Sequence, residues 1–437
     1  MEKPSFKSAL KFWLKLGFIS FGGPAGQIAI MHEYLVEKKK WISESRFLHA
    51  LNYCMILPGP EAQQLAIYTG WLLHGFYGGL AAGILFVLPS MFILLGLSIV
   101  YVSFGSLPWI YAMFAGLKPA VVAIVIVALI KIGKRSLLSP FHYFIAAAAF
   151  ICIFFFNVAF PLIILGSIVI AFIIEKMFPQ FFKQAKSNAD KKNDDEAKYY
   201  INSNNTNAQS GFNSKRLIKQ VVIGIFLWII PVMIFYFFSS DFSFWKLIAV
   251  FFTKAALVTF GGAYAVLPYV AQVSVEQFRW LTKLQMIDGL ALGETTPGPL
   301  IMVLAFVGFI AGYHHYSNSV MMGTIALLAT TFYTFLPCFL FIFLGAPIIE
   351  RTQQNKKIKN VLSIVTAAVV GVVLNLTVYL SKAIIFPAQF SLQSINYIMF
   401  GWIVISFVAM YRFKIGMITW IGISACFGLI YFFITQR

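Results

Sequence analysis

LPGPEAQQLAIYTG, residues 57–70, places a Pro-Gly-Pro inside a stretch otherwise apolar enough for hydrocarbon, and no continuous helix tolerates that triplet. The rest of the chain makes the break informative. Of 437 residues, 60% are hydrophobic and 11% charged, and the mean hydropathy is +0.84, which describes an integral membrane protein in a lipid bilayer and excludes a water-soluble one. A formal net charge of +18 would point to nucleic acid on a soluble chain. Here the lysines and arginines lie between apolar runs, where they orient the chain by the positive-inside rule, and nucleic acid is not an expected partner. Cys54, Cys152, Cys338 and Cys426 lie far apart in apolar stretches without metal-ligand or redox spacing, so neither disulfides nor metal cofactors are expected. The N-terminal MEKPSFKSALKFW has no long apolar run closed by a small-residue cleavage site and is expected to be retained.

Apolar runs long enough to cross a ~30 Å hydrocarbon core occupy residues 78–104, 107–133, 158–178, 217–239, 317–346, 356–381, 393–411 and 413–433, with a shorter run at 141–157. Residues 183–216 are polar and bury too little apolar area to order themselves. Four more apolar stretches carry helix breakers near their middles: residues 18–29, 52–65, 257–268 and 292–303. These four pair. Phe21-Gly22-Gly23 matches Phe260-Gly261-Gly262 at an offset of 239, and the same offset takes Lys15 to Lys254, Trp41 to Trp280 and Pro58-Gly59-Pro60 to Pro297-Gly298-Pro299. Further on the offset becomes 248, taking Pro89 to Pro337 and Pro119–Ala123 to Ala367–Gly371, so about nine residues entered between. The expected organisation is a first membrane repeat over 1–178, a polar cytoplasmic linker over 179–216, a connecting transmembrane helix over 217–239, and a second repeat over 240–437.

Loop charge orients the copies. In the first half, Lys38, Lys39, Lys40 and Arg46 follow the first broken segment, and Lys131, Lys134 and Arg135 mark a later turn, whereas the turn at Gly105–Pro108 is uncharged. In the second half the counterpart of the uncharged turn holds Arg351, Lys356, Lys357 and Lys359, while the counterpart of Lys131 holds only Lys382. Basic loops stay cytoplasmic, so the fold class is an all-α polytopic membrane protein of two inverted-topology repeats, its N-terminus cytoplasmic. With the tail and the 38–46 loop on one side, the broken segments read as re-entrant hairpins. Treating them as full but broken crossings keeps the parity and exposes Lys38–Lys40 externally.

Broken backbone at membrane depth survives only where protein or a wet cavity satisfies the freed N–H and C=O groups. In inverted-repeat transporters such breaks meet near the midplane, and half-helix N-termini carry partial positive charge suited to anions. Glycine lets an anion approach the bare amides. Close packing is the commoner use of such glycines, but a duplicated set at matched positions favours a site. The candidate substrate-binding residues are therefore Phe21, Gly22, Gly23, Pro24, Pro58, Gly59, Pro60, Phe260, Gly261, Gly262, Pro297, Gly298 and Pro299, with Gln63 and Gln64 as amide donors. Lys15, Lys118 and Lys254 stand in apolar surroundings, where a central lysine costs about 2.5–3.5 kcal/mol. Snorkelling is the competing reading, strong for Lys15 and poor for Lys118. Glu61 and Glu294 flank the two Pro-Gly-Pro breaks as proton carriers or lysine partners. His74, His314 and His315 fall near segment ends, and no Ser-His-Asp order, phosphate loop or metal-ligand cluster points to an enzyme.

At these same residues, the stretches beginning SFGGPAGQIAIMHEYLVEKKKW and TFGGAYAVLPYVAQ, with their Pro-Gly-Pro partners, resemble the two halves of the chromate ion transporter family, long two-domain type. The resemblance spans nearly the whole chain apart from the linker. It implies export of chromate from a bacterial cytoplasm across the inner membrane, without cofactor, by a chain compatible with a homodimer. One departure is Ala263, which stands where the first half has Pro24. A dianion leaving a cell held about 100 mV negative gains roughly 4.6 kcal/mol, about a thousandfold gradient, so export needs no coupling, whereas uptake would require Glu61 or Glu294 as carriers. Sulfate or another tetrahedral oxyanion shares chromate's charge and shape, and an anion channel is the alternative class.

Overall fold

The computed structural model describes residues 3–21, 23–55, 57–105, 107–177, 198–202, 214–239, 241–349, 356–386 and 394–435. Gly22 and most of the linker, with Arg351, fall outside them. The described chain is helical: α1 (Phe6–Ile19), α2 (Gly23–His32, continued by a π turn over Glu33–Lys38), α3 (Glu44–Cys54), α4 (Glu61–Phe104), α5 (Pro108–Ser136), α6 (Pro140–Phe156), α7 (Phe160–Met177) and α8 (Ser214–Phe238). There follow α9 (Phe242–Leu257), α10 (Ala263–Gln272), α11 (Lys283–Thr295), α12 (Val303–His315), α13 (Val320–Ile349), α14 (Lys356–Ile385), α15 (Tyr397–Tyr411) and α16 (Met417–Thr435). Seven are long and apolar enough to cross a membrane: α4, α5, α7, α8, α13, α14 and α16. The run expected over 393–411 yields a shorter helix, because the Asn396 side chain accepts from the Met399 amide at 3.1 Å and starts α15 there. Outward faces are greasy, as on α8 with Phe226, Tyr236, Phe237 and Phe238 exposed, which is what lipid contact demands.

Glycine and proline placement turns the N-terminal segments back on themselves. Past the Phe-Gly-Gly break, α2 returns alongside α1, so that Tyr34 stacks on Phe12 with ring centroids 3.9 Å apart. α4 is two helices joined at His74 and Gly75, where Gly75 takes φ 66°. Its legs, residues 61–73 and 76–104, run antiparallel, with Gly70 packed against Gly78. Pro4 and Phe6 meet His74, while Gly17 meets Leu85 and Pro89. Residues 6–38 and 44–73 thus enter from the end marked by His74 and return to it, and only the 76–104 leg goes on to the opposite end. The second half repeats the plan: Trp280 packs on Phe251 and Phe252 as Trp41 does on Phe12, and α12 and α13 form an antiparallel pair through Gly308 with Thr330 and Gly312 with Met322. The step in offset from 239 to 248 falls at the turn between these legs, two residues in the first half and longer in the second.

Matched helices of the two halves run in opposite directions. Phe76 meets Phe343 at 4.7 Å while Gly83, further along, meets Phe339, so the 76–104 leg and α13 are antiparallel. α6 runs parallel to α14, since His142 meets Ser363 and Ala146 meets Gly371. α5, joined to α6 by a short turn, runs the other way. One face, here the near face, therefore gathers the loop after Lys38, His74 and the end of α5. The far face holds the loop at 278–282, the turn at 316–319 and Asn157 at the end of α6.

The polar stretch departs from a purely solvated linker where it is described. Ile201 is buried, its amide donates to Trp41 O at 3.0 Å, and its carbonyl accepts from the Ser43 amide at 2.9 Å. An isolated Ile among polar neighbours finds an apolar notch at Trp41 and Ile42 and uses their spare backbone groups.

The antiparallel register is testable by cross-linking. In a background without the four native cysteines, Cys at Phe76 and Phe343 should be joined by a short bifunctional thiol reagent, and Cys at Phe104 and Phe343 should not, as read by mass spectrometry.

Candidate functional site

The four breaks meet pairwise across the two halves. The Gly59 amide donates to Thr259 O at 2.7 Å, and the Gly298 amide donates to Ser20 O, also at 2.7 Å. Both donor and acceptor pairs are related by the 239 offset, so each Pro-Gly-Pro is tied to the residue just before the other half's Phe-Gly-Gly. The glycines are required: Gly59 takes φ 124° and Gly298 φ 100°, a region that only glycine enters at little cost. Neighbours crowd in from the opposite half. A Cβ on Gly59 would lie 2.8 Å from Cys338 Sγ, and one on Gly298 would run into Ser90, whose hydroxyl donates to Pro297 O. Ser90 and Cys338 are themselves 248 residues apart. Gln27 adds a first-half amide to Gly298 O at 2.6 Å, and Gln64 donates to Pro58 O at 2.7 Å.

With the Pro-Gly-Pro loops fixed, the Phe-Gly-Gly segments are free to face space. A cavity of about 340 Å³ is lined by Gly23, Pro24 and Ala25 at the start of α2, by Gly261, Gly262 and Ala263 at the start of α10, and by Glu61, Lys131 and Arg135. That volume is about ten times one water's ~30 Å³ share of the liquid, room for a tetrahedral oxyanion with part of its hydration shell. Among the described residues, and leaving aside chain neighbours and the helix's own backbone, no atom lies within 4 Å of where a Cβ would stand on Gly23 or Gly262, and no side chain caps α10. The start of α10 thus faces the cavity without a side-chain cap, beside the start of α2, where Pro24 carries no amide hydrogen. Lys131 and Arg135 lie one turn apart on α5, and Glu61 stands within electrostatic reach of Arg135. The Tyr264 ring also lines the cavity, and its hydroxyl donates to Glu294 Oε1 at 2.6 Å.

Several expected residues fall elsewhere. Gly23, Pro24, Gly261, Gly262 and Glu61 line the cavity, and Glu294 lies one hydroxyl behind it. Phe21 and Phe260 sit half-buried at the bends. Gly59 and Gly298 have already committed their amides to the opposite half, so Pro58–Pro60 and Pro297–Pro299 brace the site without lining it. Gln63 is fully buried outside the cavity lining. Lys15 and Lys254 are exposed on the outer sides of α1 and α9, where long stems reach the interface. Lys118 is buried but paired: its Nζ is 3.5 Å from Asp288 Oδ1, and the Tyr101 hydroxyl donates to Asp288 Oδ2 at 2.9 Å. Sequence reasoning missed Asp288, Tyr101 and Tyr264, and read Lys131 and Arg135 only as loop charge. The i, i+4 spacing of the last two was the available signal.

Comparison with known proteins converges on one family. The sequence model of the chromate transporter family matches twice, over residues 8–172 and 245–429. The chain is 29% identical to a probable chromate transport protein of Synechococcus elongatus, covering 86% of this chain and 85% of that one. It is 29% identical to the chromate transport protein of Cupriavidus metallidurans (86% and 83% covered) and 30% identical to that of Pseudomonas aeruginosa (86% and 82% covered). No solved structure matches the chain.

The two kinds of glycine should respond differently to a methyl group. Gly298→Ala, strained in backbone and blocked by Ser90, is expected to lose about 2–4 kcal/mol and lower the thermal midpoint by several degrees. Gly262→Ala, strained in backbone alone, should lose about 1–2 kcal/mol. Thermal unfolding in detergent checks the order.

Proposed function

Because the chain belongs to the chromate transporter family, whose members are transport proteins and not enzymes, we propose that it exports chromate from the cytoplasm across a bacterial plasma membrane. The observation that carries this reading is the pair of helix starts, one from each half, that line a single cavity together with Lys131 and Arg135. A helix N-terminus presents about half a positive charge. Two of them with Lys131 and Arg135, net of Glu61, set roughly two positive charges around the cavity, which suits a dianion. The opposed directions of α4 with α13 and of α5 with α14 support the inverted-repeat reading. Lys38–Lys40, Arg46, Lys131, Lys134 and Arg135 gather on the near face, which the positive-inside rule assigns to the cytoplasm, together with the N-terminus. The cavity is reached from that face, where Lys131 and Arg135 are exposed. This conformation is the one that loads.

Chromate itself comes from the relatives' names, since sulfate offers the same charge and tetrahedral oxygens to the same donors. Voltage alone suffices to drive a dianion outward, so Glu61 and Glu294 act by shaping the field around Arg135 and Tyr264 and carry no obligatory proton.

In proteoliposomes loaded with labelled chromate, efflux should accelerate when the interior is made negative and show saturable counterflow, which a fixed pore lacks. Arg135→Ala and Lys131→Ala should each raise half-saturation about 10- to 100-fold, the loss of one charge-assisted contact. Efflux from the Glu61→Gln/Glu294→Gln variant should remain voltage-driven and indifferent to a pH gradient. Preference for sulfate over chromate in the same assay would replace the substrate and leave the site.

A further inference from the structure

The buried network of Lys118, Asp288 and Tyr101 is not explained by anion loading, and its place in the fold is specific. Tyr101 lies eleven residues past Ser90 on α4, roughly 16 Å further toward the far face. α11 starts at that face with Lys283 and ends at the break with Thr295, so Asp288 lies between the two. Lys118 comes from α5, and the three side chains thus join two first-half helices to a re-entrant helix of the second half. Their burial is nearly complete, with the Lys118 and Asp288 side chains 9% and 5% exposed. Leu284, one turn from Asp288 on the same face of α11, lines a second cavity of about 560 Å³ with Asn157, Lys283, Tyr379 and Lys382. The network therefore stands between the breaks, open to the near face, and a hollow that opens to the far one.

We propose that the Lys118–Asp288 pair, steadied by Tyr101, is the far-face gate of the transport path. This rests on the transport reading above. In the conformation seen here Asp288 neutralises Lys118 and holds α11 against α4 and α5, closing the route beyond the breaks. When α11 moves away the pair parts, and the Lys118 ammonium becomes an anion ligand on the exit side, exchanging a fixed carboxylate for the travelling oxyanion. A buried pair suits a gate because removing one partner strands a charge, so closure is cooperative.

Reporter cysteines placed one at a time in the full chain, without its native cysteines, test the gate in detergent. Ala291→Cys sits on α11 between Asp288 and the break and is buried. Ala25→Cys lines the near cavity. Asp288→Asn should raise labelling of the Ala291 reporter by a hydrophilic thiol reagent about tenfold and lower that of the Ala25 reporter. The exchanged pair Lys118→Asp/Asp288→Lys should restore both rates. Unchanged labelling at position 291, or both rates rising together as in a loosened fold, overturns the gate. Should Asp288→Asn fail to fold, Tyr101→Phe takes its place, with about a threefold rise expected from one lost hydrogen bond and no change overturning the proposal. Labelling needs no chromate, so a chain that moved no chromate yet showed this opposed response would refute the substrate and keep the gate.

Discussion

A backbone interrupted in the middle of a membrane protein must find partners for its N–H and C=O groups inside the protein, since lipid offers none. Here each half supplies what the other lacks. The Gly59 and Gly298 amides reach carbonyls at Thr259 and Ser20, and the left-handed backbone at each glycine aims the donor across the junction. The rest of the centre depends on this exchange. It fixes the Pro-Gly-Pro loops, sets the depth at which α2 and α10 begin, and leaves the first turns of those helices open to a shared cavity.

Charge is distributed by the same logic of satisfaction. Lys131 and Arg135 keep their solvent and share the cavity with Glu61. Lys118, without solvent, is held by Asp288. Lys15 and Lys254 match in sequence and share a fate at the outer surface, where the duplication preserves a position without giving it a place at the centre.

Much of this was legible in the sequence, because duplication writes itself as matched breakers in order. The helix breaks and the two offsets marked the backbone that meets across the halves, whereas the turn at His74 and Gly75 that splits α4 was not among the expected breaks. Proximity in the fold was not legible. Nothing in PGP says whether its amides face a ligand or the other half of the chain, and here they face the other half. Asp288 carried no signal in the sequence, and only the packing of α11 beside α5 brings it to Lys118. Ile201 lay in a polar run whose composition argued for solvent, and one buried side chain with two backbone bonds outweighed it locally.

The two braces are alike in plan and unequal in chemistry. Against Pro297 the first half offers the hydroxyl of Ser90, a firm donor, whereas the matched position in the second half is Cys338, whose thiol is weak in that role and crowds Gly59. Sister arrangements facing opposite compartments would be isoenergetic in a symmetric dimer of copies. Oxygen in one brace and sulfur in the other removes that exact equivalence, and any resulting difference in energy weights how often each arrangement is occupied while the sign of net flux still follows the electrochemical gradient.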